Sequence, residues 1–263
     1  MRARFSFVMA AVLAVSAGLP VAAAKPTSMQ VTLPSLPAGL RRSRSLGYPW
    51  KGSLSRAVKL TPSAHLRIVP EYAGTDHFYG TWQLVQLLAR AAQYVGVRRP
   101  GGRLSVGELS AQQGGNLGGH ASHESGRDVD VGFYMLDGAG RPYDAFAFAN
   151  FDARGRGQAP NQGLRFDVTR NWELVSRLVT DGDARVQYIF VAQGLRDLLL
   201  QEAKRQSAPA KVRERAARVL VPPRERHPHG NHFHVRVYCG PHERPKCSDE
   251  GPYWPWYPGD APV

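Results

Sequence analysis

Only two of the 263 residues are cysteine, Cys239 and Cys247, and acids are outnumbered, 21 Asp and Glu against 34 Lys and Arg. After residue 24 no stretch is apolar for long enough to span a bilayer. The chain has no Gly-x-Ser-x-Gly elbow and both cysteines read as structural, so neither a serine nor a cysteine nucleophile is expected. It also lacks a Gly-x4-Gly-Lys-Ser/Thr loop to cradle phosphates, which Gly114, Gly115, Gly118 and Gly119 do not match. The helix-borne His-Glu-x-x-His zinc motif is absent. The two cysteines sit close together in a Pro/Gly-rich stretch, which in an exported chain predicts a local disulfide. A two-thiolate metal site is the alternative, but it has no second cysteine pair to complete it.

What is present begins with an export signal. Arg2 and Arg4 precede a mostly apolar run to residue 21, and Ala22, Ala23 and Ala24 supply small residues for cleavage before Lys25. A transmembrane anchor is the competing reading, disfavoured by the short run and the cleavage site. No cysteine near residue 24 offers a lipoprotein anchor. The formal net charge is +13, and losing residues 1–24, with two arginines and no acid, leaves +11. Basic residues concentrate at 41–44, 98–103 and 204–226. This balance points to a polyanionic partner, or to a solvated basic face with no specific one. An exported protein rarely meets nucleic acid, so the carboxylates and anionic polymers of the cell envelope fit better.

The length suits one sizeable core and a single domain, and 27 Gly and 20 Pro predict many loops. Residues 25–46 read as a flexible basic arm, leaving 47–263 as the domain, irregular over 47–75 apart from short strands near 58–60 and 66–69. Trp82, Val85, Leu88, Ala92 and Val95 fall at helical spacing, which predicts a core-facing helix over 80–95. Residues 104–109 read as a strand. In 128–133, Val129, Val131 and Phe133 alternate with Asp128 and Asp130, so the two carboxylates share the opposite strand face. A long Gly-rich excursion, 136–166, follows, of a length that usually marks function or disorder. Helices are expected over 171–180, 195–203 and 212–220, and strands over 186–191 and 233–238. Strands and helices do not strictly alternate. The expected architecture is therefore α+β, a central antiparallel sheet flanked by helices and long loops.

Four of the nine histidines fall within 227–234, reading His-Pro-His-Gly-Asn-His-Phe-His. His232 and His234 lie two apart at the start of a strand, on one face. His120 and His123 lie in the Gly-rich loop 113–127, and Asp130 follows His123 by seven residues. A strand entered from that loop can bring His123 and Asp130 to a common point. Zinc takes about four N, O or S ligands near 2 Å, and a catalytic site keeps one position open for water. His123, Asp130 and His234 supply three ligands, and the ion would lower the pKa of a water to about 7. His232, beside His234, is placed to shuttle protons or steady an oxyanion. Read alone, His120 could be a plain loop residue and His227 a turn residue before Pro228. His65, His77 and His242 read as surface or loop residues, and Arg127 as either a holder of a substrate carboxylate or a surface arginine.

These motifs have a family pattern. Ser122-His123-x-x-Gly126-x-x-x-Asp130 followed by His232-x-His234 resembles the zinc peptidases that include lysostaphin-type enzymes and D-Ala-D-Ala dipeptidases. The stretch Gly102-Arg103-Leu104-Ser105-Val106-Gly107, the run from Gly119 to Phe133, Phe78-Tyr79-Gly80, and His229-x-x-His232-x-His234-Val235-Arg236 resemble the penicillin-insensitive murein endopeptidases more closely. The resemblance covers residues 45–250. It implies that His123, Asp130 and His234 are zinc ligands, with His120 near or on the metal. It implies His232 as the histidine that assists catalysis, His229 as another active-site histidine, and a Cys239–Cys247 disulfide after the motif. The chain carries fewer cysteines than the family pattern. The implied reaction is hydrolysis of D-alanyl–meso-diaminopimelyl cross-bridges between peptidoglycan peptides in the periplasm. The implied protein makes no stable membrane insertion after signal cleavage, and its oligomeric state is not legible. The alternatives are a D,D-carboxypeptidase or dipeptidase with the same zinc geometry, and a silent wall-binding protein stacking sugars on Tyr253, Trp254, Trp256 and Tyr257, residues that read better as packing the C-terminus against the core.

Overall fold

A computed structural model describes residues 43–223 and 229–257. The expected signal peptide, 1–24, most of the expected arm, 25–46, and His227 lie outside the described residues. Among the described residues the first elements are β1 (Arg44–Tyr48), β2 (Lys51–Ser55), β3 (Val58–Lys59), β4 (Leu66–Ile68), β5 (Tyr79–Gly80), α1 (Trp82–Arg98) and β6 (Leu104–Val106). There follow β7 (Asp128–Gly132), β8 (Met135–Leu136), β9 (Pro142–Tyr143), β10 (Arg165–Phe166) and α2 (Val168–Val179). The last elements are β11 (Val186–Phe190), α3 (Gln193–Arg205), α4 (Ala210–Val219), β12 (Leu220–Val221) and β13 (His232–Val237).

The central sheet has the order β12-β11-β13-β7-β6-β4. Its inner pairs, β11 with β13, β13 with β7 and β7 with β6, are antiparallel as expected. The outer pairs, β11 with β12 and β4 with β6, are parallel. Each outer pair is joined through helices, α3 and α4 on one side and α1 on the other, and a crossover returns a strand in the same direction. The described residues thus form a single α+β domain with parallel edges on an antiparallel centre.

Helix α1 starts where Thr81 Oγ1 accepts a hydrogen bond from Leu84 N, the usual job of an N-cap side chain. Its buried face carries Leu84, Leu87 and Leu88, each contributing about 1.5–3 kcal/mol on leaving water. Gly96 lies against His65, whose Nδ1 would be 2.3 Å from any Cβ placed there. Asp167 caps α2 by accepting from Arg170 N, which starts that helix three residues before the apolar stripe alone indicated. Val129, Val131, Phe233, Val235 and Val237 join one core with apolar residues from all four helices. By strand alternation, the opposite face of β7 and β13 is left for polar groups. No described helix is long and apolar enough to cross a membrane.

Ser43 and Arg44–Tyr48 are ordered structure, although 25–46 reads as an arm and 47–75 as irregular. Their Ser- and Gly-rich pattern carries little strand signal, and their partners are distant in sequence. Ser43 Oγ accepts from Trp82 N, Ser45 N donates to Glu243 Oε1, and Gly47 N donates to Lys246 O. Arg127 joins this knot. Its fully buried guanidinium pairs with Asp249 and donates to Ser45 Oγ and Ser248 O. It therefore ties β1 to the C-terminal segment and holds no substrate, which neither reading of the sequence anticipated. Cys239 and Cys247 form a disulfide across the same segment. Trp254 and Trp256 stack on each other, half-buried against the core, and the Trp254 indole donates to Gln187 O. The two tryptophans thus pack the C-terminal segment against the core. The excursion at 136–166 folds as a small sheet of its own, in the order β10-β8-β9.

Candidate metal centre

Register builds half of the site. In the β7–β13 pair His234 sits opposite Asp130, His232 opposite Gly132 and Arg236 opposite Asp128. Because side chains alternate, all of these groups emerge on the face away from the valines. The loop before β7 supplies the other half. His123 takes a left-handed backbone, φ 78°, which for a residue other than glycine costs of order 1–3 kcal/mol and persists only where surroundings enforce it. Here Ser110 Oγ donates to the His123 carbonyl and accepts from Gly126 N, while the His123 Nδ1 bonds to Leu109 O at 2.6 Å. Gly126, at φ 72°, lets the turn lie on Leu54, whose Cδ atoms would be 2.7 Å from a Cβ at that position.

The result is a convergence on one buried carboxylate. Asp130 Oδ1 lies 3.2 Å from His234 Nδ1, 3.4 Å from His232 Nε2 and 3.5 Å from His123 Nε2. His120 Nδ1 is 3.7 Å from Asp130 Oδ2. Although close, Asp130 Oδ1 and His123 Nε2 are aligned with no hydrogen-bond partner. Buried polar atoms are rarely left this way. Atoms about 2 Å from a tetrahedral ion stand about 3.3 Å from one another, close to the Asp130–His234 and Asp130–His123 spacings of 3.2 and 3.5 Å. His120, His123 and Asp130 each offer a ligand atom within 4.8 Å of the others.

Behind these groups stands an outer layer of the kind that orients metal-binding histidines. His123 Nδ1 is held by Leu109 O, which turns Nε2 toward Asp130. His234 Nε2 is held by Asp128 Oδ1 at 2.7 Å, which turns Nδ1 toward Asp130. His120 Nε2 is held by Glu108 Oε2 at 2.8 Å, and Glu108 Oε1 binds His77 Nδ1 at 2.7 Å. Burial alone would raise the Asp128 carboxyl, but Arg236 and His234 outweigh it and hold it well below the usual carboxylate range. The same contest at Asp130 is won by His123 and His232. At Glu108 burial is overcome by His77 and His120. Burial pulls the His234 imidazole down, yet Asp128 and Asp130 lift it to about 9.

His232 lies at the rim, its Nδ1 2.7 Å from Asn231 Oδ1. The His229 ring is centred 5.0 Å from that of His232 and 5.9 Å from that of His234. Thus His120, His123, Asp130, His229, His232 and His234 all meet in one place, from two strands and two loops. Sequence reasoning gave no role to Asp128, though its alternation with Asp130 was the available signal. Glu108, Asn231 and His77 were missed or left on the surface, because nothing in their local sequence marks them.

The pattern of the penicillin-insensitive murein endopeptidases matches residues 45–259 of this chain, taking in every residue of the convergence. A protein of that name from Haemophilus influenzae is 29% identical over 183 residues, 67% of this chain and 57% of that protein. The alignment thus spans just over half the length of this relative. With most of its length and its whole His/Asp centre inside the match, the chain belongs to the penicillin-insensitive murein endopeptidase family.

Proposed function

We propose that the chain is a zinc-dependent murein endopeptidase that hydrolyses D-alanyl–meso-diaminopimelyl cross-bridges in peptidoglycan. The observation that carries this reading is the buried convergence of His123 Nε2 and His234 Nδ1 on Asp130 Oδ1, each imidazole held from behind by an acceptor. His123, Asp130 and His234 would hold the ion, with His120 on or beside it. Bound there, zinc supplies Lewis acidity that polarises a peptide carbonyl and acidifies water.

The chain's own residues do the rest. Asn231 Oδ1 accepts from His232 Nδ1–H, which leaves Nε2 as the free acceptor, turned toward Asp130. From there it takes the proton of the attacking water, and the resulting imidazolium steadies charge developing on the carbonyl oxygen. His232, or His229 beside it, would then return that proton to the leaving amine. Asp128 accepts from His234 Nε2–H, which would leave Nδ1 free to hold the ion. No serine is acylated on this route, so penicillin has no nucleophile to trap. Export to the periplasm, with cleavage after Ala24, is part of this proposal and is read from the N-terminal residue of the protein recovered from cells.

The test is His234→Ala. Zinc content and hydrolysis should be lost together, and a variant that stays zinc-loaded and fully active would overturn the assignment.

A further inference from the structure

His232 faces a partner from an unexpected quarter. In register it stands opposite Gly132, which has no side chain to fill the adjacent space. Phe148, from the 136–166 excursion, fills it. A Cβ on Gly132 would lie 2.7 Å from Phe148 Cε1, and one on Gly107 would lie 2.7 Å from Cζ. The ring therefore rests on two bare backbones. Its plane is within 21° of the His232 ring, centroids 5.2 Å apart, and its flank meets Tyr72 at 5.3 Å. The segment is pinned on both sides. Arg67 donates to Ala145 O, Glu71 N donates to Phe146 O, and Phe151 N donates to Gly230 O, next to the histidine run.

We propose that Phe148 is a positioning residue for His232: its ring, seated on Gly107 and Gly132, fixes the plane of the imidazole that Asn231 fixes in tautomer. This gives the long excursion a task in the reaction, because without Phe148 the imidazole is free to turn on the side that Gly132 leaves open. The inference rests on His232 acting in turnover, and the experiment separates the two. Misplacement of a catalytic group by about 1 Å can cost about 100-fold.

Phe148→Ala is made in the wild-type protein and in His232→Ala, and kcat, KM and zinc content are measured on cross-linked muropeptide dimers. The expected result is a kcat about 10–100-fold lower in the first background, with KM and zinc unchanged, and no further loss in the second. Phe148→Leu, which keeps bulk but not the flat ring, should recover only part of the loss. Wild-type turnover in Phe148→Ala, or full recovery by leucine, would overturn the proposal. An equal cost of Phe148→Ala in both backgrounds would overturn it while leaving His232 its role. Wild-type turnover in His232→Ala alone would overturn the reading of His232 and this proposal with it.

Discussion

At the scale of single residues, the His/Asp centre depends on groups that stand behind the converging side chains. Asp128 carries both His234 and Arg236, so its charge acts on the ligand set from behind. Asp128→Asn should weaken zinc affinity about 10–100-fold, as outer-layer changes do, measured by competition with a coloured chelator. Unchanged affinity would show that Asp128 serves only the fold. His234 makes a second prediction. Its folded pKa, about 9, lies above the ordinary 6.5. In metal-free protein the protonated imidazole therefore adds stability that is complete below pH 6.5 and lost as pH rises through about 9. Chelated protein should lose melting temperature across that window, and His234→Gln should lose less. Identical pH profiles for the two would contradict the assignment. The convergence of His232, His234 and Asp130 was legible because His-x-His and the Asp-Val-Asp-Val alternation set faces by period alone. Glu108, Asn231 and Phe148 were not, because each acts through contacts made only once distant strands are paired.

At the scale of elements, strands and helices with an apolar period were read correctly from sequence. The β7 alternation, the α1 stripe and the four helical segments all match, because burial of an apolar face is a local pattern. The β1–β2 hairpin was missed because its residues carry no such face. Its bonds run to Glu243, Lys246 and Arg127, far along the chain. The same knot holds the disulfide. Replacing Cys239 and Cys247 with Ser should lower stability by about 2–4 kcal/mol in chemical denaturation. An unchanged unfolding midpoint would mean that the buried Arg127–Asp249 pair and the Glu243 bonds hold the segment alone.

At the scale of the whole molecule, one sheet separates two jobs. Its apolar face joins the helices in the core, and its polar face collects the six converging residues from β7, β13 and two loops. Parallel edges were not legible, because strand direction depends on crossovers and not on the strands' own composition. The basic balance, +13 over the chain, suits work among wall carboxylates, but the proposed activity rests on the centre. The most direct test is a digest of purified, cross-linked muropeptide dimers by the mature protein, read by mass spectrometry with and without a chelator. The account predicts chelator-sensitive conversion of dimers to monomers by cleavage of the D-alanyl–meso-diaminopimelyl bond. Release of only a terminal D-alanine, or no product from protein shown to contain zinc, would contradict it.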